Sequence, residues 1–135
     1  MRSKYLEELG VPSNELSWNL CTEDKRNNKE WKKQREELGF DDRDTWNLDW
    51  TLICLIYPRL KQYLKVASNL VDLDYHKVTY GEDNKEYTER QIIEMILEIF
   101  ESHIKERDNI DYVYDKKKMQ EAFSLLGLIL PALWW

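Results

Sequence analysis

Chain breakers are scarce in this sequence, with four glycines and three prolines among 135 residues. An architecture of many short strands joined by tight turns needs more of both, so their scarcity, beside abundant Glu, Lys and Leu, predicts helices. Cysteine is nearly absent. Cys21 and Cys54, the only two, stand far apart without the spacing of a metal site, which predicts reduced, buried thiols of a cytosolic protein and no disulfide framework. Positive charge is in deficit, with a net charge of −6. The counterion release that drives non-specific binding to DNA or RNA therefore has little source, and no nucleic-acid partner is expected. The amino-terminal MRSKYLEELGV has no apolar core of signal-peptide length. The longest apolar run, 125–135, is interrupted by Gly127 and is too short to span a bilayer; it reads as a buried helix, and no membrane association is expected.

What is present is material for a core. Hydrophobic residues make up 42% and aromatic residues 13% of the chain, so the composition is that of a folded protein. The length suits one domain, 1–135, with 1–40 as a polar, peripheral part. In that part Tyr5, Leu6, Leu9 and Val11 form a short apolar pattern broken by Gly10 and Pro12. Residues 22–38 are polar except for Trp31 and Leu38, with Thr22 as a cap and Gly39 as a stop.

The stretch DDRDTWNLDWTLICLIYPRLKQYLK, starting at Asp41, is organised differently. Carboxylates belong before a helix, where free N–H groups and the positive end of the dipole lie. Asp44 or Thr45 is the expected cap of a helix from about Trp46 to Val66. Trp46, Trp50, Ile53, Tyr57, Leu60 and Leu64 share one stripe, with Leu52, Ile56 and Tyr63 beside it. Trp46 and Leu48 are expected in the core. Pro58 lacks the N–H that would bond the carbonyl of residue 54, so it is expected to kink the helix while remaining inside it.

Residues 67–87 read as a loop, in which Val71, Leu73 and Tyr75, with Val78 and Tyr80 as an extension, form a short extended segment or hairpin. Thr88 opens a capping box with Gln91. The helix that follows carries Ile92, Ile93, Ile96, Leu97, Ile99, Phe100 and Ile104, with Glu94, Glu98 and Glu101 on the other side. After a polar connection over 107–114, Asp115 caps a last helix that turns apolar all round from Leu125, with Pro131 distorting its final turn. The expected fold is all-α: a compact bundle of four or five helices, with a kinked central helix and a very apolar carboxy-terminal one.

These residues resemble a group of short phage and prophage accessory proteins. The likeness rests on the acidic cluster Asp42 and Asp44, on Thr45, Trp46, Leu48 and Asp49, and on Pro58, Arg59, Leu60 and Lys61 of the same helix. Phe100 and Glu101 end the Glu-rich helix, and Leu133 and Trp134 end the last one. The likeness covers roughly residues 40 to 135, and the LVDLDYHKVTYGED loop is longer than the usual turn. It implies a protein acting on the host, in the host cell cytoplasm, either by binding and sequestering a nucleotide-derived immune signal or by blocking a host protein directly. It carries over no catalytic residue.

Asp42 and Asp44 cluster oxygens, but a calcium loop needs a central glycine and a closing glutamate, so capping is the expected role and no metal is expected. His103 lies at the apolar edge of its helix and reads as a half-buried structural histidine. His76 shares a loop with Asp72, Asp74 and Tyr80, the one place for a small hydrolase, with no partner fixed by the sequence. Arg59 and Lys61 stand at the two margins of the aromatic face. With Tyr57, Tyr63, Trp46 and Trp50 they are the candidate ligand-binding set, for a phosphate-bearing small molecule held by paired hydrogen bonds and ring stacking. The competing reading has Arg59 bonding Asp42, Asp44 or Asp49 while the tryptophans fill the core. The alternative function is a protein–protein inhibitor or adaptor using the Trp31 helix or the Trp134/Trp135 end, which is also the expected seam of a homo-oligomer. No enzyme activity and no cofactor are expected.

Overall fold

The computed structural model describes residues 4–11 and 28–134, with Asn28 and Trp46 described by their backbones alone. The expected cap at Thr22, the thiol of Cys21, the Trp46 side chain and Trp135 lie outside the described residues. The chain divides into two compact units, Met1–Pro58 and Arg59–Trp135.

In the first unit, α1 (Lys4–Glu8) ends at Gly10, whose φ of 73° suits a residue without a side chain. The Val11 N–H then reaches back to the Leu6 carbonyl at 2.9 Å, and the Val11 side chain is buried. Helix α2 (Asn28–Leu38) buries Trp31 and exposes most of its other side chains. Gly39 stops it, with φ 84° and its N–H on the Arg35 carbonyl.

The acidic stretch departs from expectation. It forms a separate short helix, α3 (Arg43–Trp46), before Asn47 breaks the path at φ −146°, ψ 84°. The long helix α4 (Leu48–Ala67) starts only there, its first carbonyl bond running from Thr51 N–H to Asn47. Asp44 and Thr45 therefore do not cap it. Leu48, on the first turn after the break, is 61% exposed and not a core residue. Pro58 does lie inside α4, and the Tyr5 hydroxyl donates to the Pro58 carbonyl at 3.4 Å.

The second unit corrects the all-α expectation. Strands β1 (Lys77–Tyr80) and β2 (Lys85–Thr88) form a two-stranded antiparallel sheet, with Val78 opposite Tyr87 and Tyr80 opposite Lys85. Their turn needs two positive φ values, supplied by Gly81 and by Asn84, a residue that tolerates the left-handed region. Each strand has four residues, too few for a hydrophobic alternation to stand out in the sequence.

Thr88 then serves as N-cap of α5 (Glu89–Glu106). Its hydroxyl accepts from Gln91 N–H at 3.2 Å, and its own N–H donates to Gln91 Oε1 at 2.9 Å, the full capping box. The Glu89 and Arg90 N–H groups donate to the His76 and Leu73 carbonyls, so the 72–76 loop occupies the helix start. Helix α6 (Lys116–Ile129) is capped by Asp115, which accepts from Lys118 N–H at 3.0 Å. It packs on α5, with the Phe100 and Phe123 rings 5.5 Å apart. The apolar end tightens into a 3₁₀ turn over Leu130–Ala132 around Pro131. Six α-helices are thus described, where four or five were expected. Among the described residues no helix is long and apolar enough to cross a membrane.

Candidate functional site

Of the residues that the sequence assigned to a ligand, Trp50 and Tyr57 are 1% and 2% exposed. Stacking a ligand on either ring would require it to leave the protein interior. The Trp46 side chain is outside the described part. Arg59 and Lys61 are both exposed. Two positions apart on one helix, they project about 200° apart and do not converge on one phosphate. Lys61 instead lends its charge to Glu101, whose carboxyl is held below its ordinary value first by the hydrogen bond to Lys105, against burial, and then by the charges of Lys105 and Lys61. Tyr63, one turn from Arg59, places its hydroxyl 3.3 Å from Glu89 Oε1 and 3.4 Å from the Trp134 carbonyl. Burial, then the Glu89 charge and hydrogen bond, push the Tyr63 phenol up.

The acidic stretch has a structural task. Asp41 is wholly buried. Its two oxygens take Arg43 as a fork, Nε at 3.1 Å and Nη2 at 2.8 Å, together with the Arg43 backbone N–H at 2.9 Å and Arg35 Nη1 at 2.5 Å. Burial alone would raise the Asp41 carboxyl, but the bonds from Arg43 and Arg35 outweigh it and hold it below its ordinary value. The Arg43 guanidinium lies 4.3 Å from the Trp31 ring centre. Asp44 accepts the Asp41 N–H at 3.1 Å, and Asp42 exchanges two bonds of 2.9 Å with Gln34. Among the described residues, no three His, Cys, Asp or Glu side chains stand together as metal ligands. His76 is exposed, and its carbonyl holds the start of α5.

A concavity does exist, in the second unit, at a place the sequence did not single out. It measures 480 Å³, within the range of roughly 300–1,000 Å³ usual for small-molecule sites. Helix α5 supplies one wall from a single face: Met95, Glu98, Ile99, Ser102 and His103, spaced by three, four, seven and eight. The first turns of α6 supply the opposite wall with Asp115, Lys118, Met119 and Glu121, and Tyr112 and Val113 close one end.

His103 organises that end. It is 8% exposed, and its Nδ1 lies 2.6 Å from the Tyr112 hydroxyl. The ring centres of Tyr112 and Tyr114 both lie 5.6 Å from it, one tilted and one edge-on. An extended Tyr-Val-Tyr segment puts its two rings on one side, because side chains alternate at period two. The repeat Tyr112-x-Tyr114 after a histidine on an apolar helix edge was the available signal. Expected half-buried, His103 is buried and bonded to Tyr112, and it lines a cavity to which the sequence does not point. Lys118 Nζ stands 3.8 Å from Glu121.

Compared with known proteins, the chain matches no protein-family model, no curated protein and no solved structure.

Proposed function

We propose that the protein is a non-enzymatic binding protein that takes a small molecule of the host out of solution, in the counter-defence role implied by the likeness to phage accessory proteins. The observation that carries this reading is the 480 Å³ cavity between α5 and α6, whose lining mixes Met95, Ile99, Val113 and Met119 with Tyr112, His103 and charged side chains. Binding is favoured over catalysis by how those groups stand. Ser102, the hydroxyl nearest to His103 in sequence, is its immediate helix neighbour, and adjacent helix residues do not face each other. The host cytoplasm is the proposed location. A nucleotide-derived signal is the identity that the likeness to phage proteins implies; the cavity itself has three carboxylates and one lysine in its lining, a charge that does not favour a phosphate.

The test is native mass spectrometry of protein purified from infected, defence-active cells. A retained mass of a small molecule, lost when the cavity is filled by Ser102→Trp, supports the reading. Protein recovered without a small molecule but with a stoichiometric host protein overturns it in favour of direct protein inhibition. One observation favours that second reading: Trp134 is 77% exposed near exposed Leu128 and Leu130, a composition suited to a contact with a partner or a second copy. The Trp31 helix no longer offers its tryptophan, which is buried.

A further inference from the structure

Resting on the small-molecule reading, we infer that the cavity between α5 and α6 selects an organic cation, a protonated amine or quaternary ammonium carried on a short apolar body. Three features of the same concavity point to this chemistry.

The first is charge. Glu98, Asp115 and Glu121 line the cavity against one lysine, Lys118, which stands 3.8 Å from Glu121. Glu98 makes no ion pair with any described residue, although Glu101, on the next turn of the same helix, has Lys105 at 2.8 Å. A phosphate entering here would meet carboxylates on both walls. The start of α6, the place where an anion would ordinarily be welcomed, is already filled by the carboxylate of Asp115 on the Lys118 N–H.

The second is the closed end. The Tyr112 ring and the His103 imidazole lie against each other at an interplanar angle of 59°, and both line the cavity. A tyrosine face attracts an ammonium group most where water is excluded, and the His103 beside it is among the buried residues.

The third is the apolar surface. Met95 and Ile99 on one wall and Met119 on the other offer methyl and thioether surface. It suits the alkyl groups on a substituted ammonium and offers no hydrogen-bond donor that an anion needs. Carboxylates, a tyrosine ring and thioethers in one lining distinguish this cavity from a general apolar cleft.

The experiment uses the full chain with ¹³C-methyl methionine, and follows the Met95 and Met119 methyl signals during titration with three probes. They are choline, its uncharged carbon isostere 3,3-dimethylbutan-1-ol, and adenosine monophosphate. Choline is expected to move both methyls in a saturable way, with the isostere binding at least about tenfold more weakly, as loss of the charge–carboxylate and cation–π attraction implies. Glu98→Gln, a change at an exposed position, should weaken choline about fivefold while leaving the isostere unchanged. Tyr112→Leu should narrow the difference between the two. Equal binding of choline and the isostere overturns the inference and leaves the small-molecule reading standing. Binding of adenosine monophosphate in place of choline does the same, and returns the ligand to the anionic class. If no probe moves either methyl the inference falls, and retention of a host molecule in the mass-spectrometric test then decides the broader reading separately.

Discussion

Asp41 and Arg43 are joined three times over: by two side-chain bonds in a fork and by one from the Arg43 backbone to the Asp41 carboxylate. Two residues apart, they pin the start of α3, with Arg35 also on the Asp41 carboxylate.

Replacing Asp41 by Asn removes the charge that balances two arginines whose side chains are 12% and 7% exposed. Removing one partner of a buried ion pair costs about 3–5 kcal/mol. Urea unfolding of Asp41→Asn should show a loss of that order. A variant as stable as the parent would mean that the arginines find other partners at no cost.

Acid should act on the same point. The Asp41 carboxyl is depressed in the folded chain below its ordinary value of 3.8. A depressed carboxylate contributes stability that is present above the unfolded pKa and is lost as pH falls through the folded one. Fluorescence of the tryptophans against pH should therefore show an acid transition beginning below about pH 4. Asp41→Asn should lack this titrating contribution, and an identical acid limb in both proteins would assign the transition elsewhere.

Thr88→Ala removes the hydroxyl that accepts from Gln91 N–H. Loss of such a cap costs about 1 kcal/mol. Thr88→Ser should recover most of it, since the hydroxyl is kept. Thermal melts of the two variants compare them directly.

Tyr112→Phe keeps the ring and removes the partner 2.6 Å from His103 Nδ1. A lost internal hydrogen bond costs about 1–2 kcal/mol. Amide exchange over 109–114 should quicken, and the His103 ring signals should move, while choline binding persists because the π-face remains. Unchanged exchange in that segment would show that the bond does not hold it.

The parts that local chemistry decides were legible in the sequence. Thr88 with Gln91 and Asp115 before Lys118 specify their helix starts within four residues, and the isoleucines of α5 specify its buried face. The break at Asn47 was hidden because the apolar spacing of Trp46, Trp50 and Ile53 runs through it. The Asp41 carboxylate depends on Arg35, six positions back on another helix, and capping was the simpler local account. The site suffered most. A stripe containing Trp50 and Tyr57 reports burial, and burial is what those rings have; it does not report ligand contact. The cavity arises from the pairing of α5 with α6 and from the path of Tyr112 to Asp115, neither of which any single segment encodes.

The seam between β2 and α5 has a mechanical meaning. Thr88 is at once the last paired residue of the hairpin, opposite Lys77, and the cap of the helix. With no residue between them, strand register and helix phase are geared together. A residue inserted among 81–84 would be taken up by the turn. One inserted among 85–88 leaves Thr88 at its spacing from Gln91 but turns the strand side chains before it to the opposite face, so the cap and the present pairing register could not both be kept. The hairpin and α5 should accordingly assemble as one kinetic event, with tolerance to insertion changing abruptly from one side of Lys85 to the other.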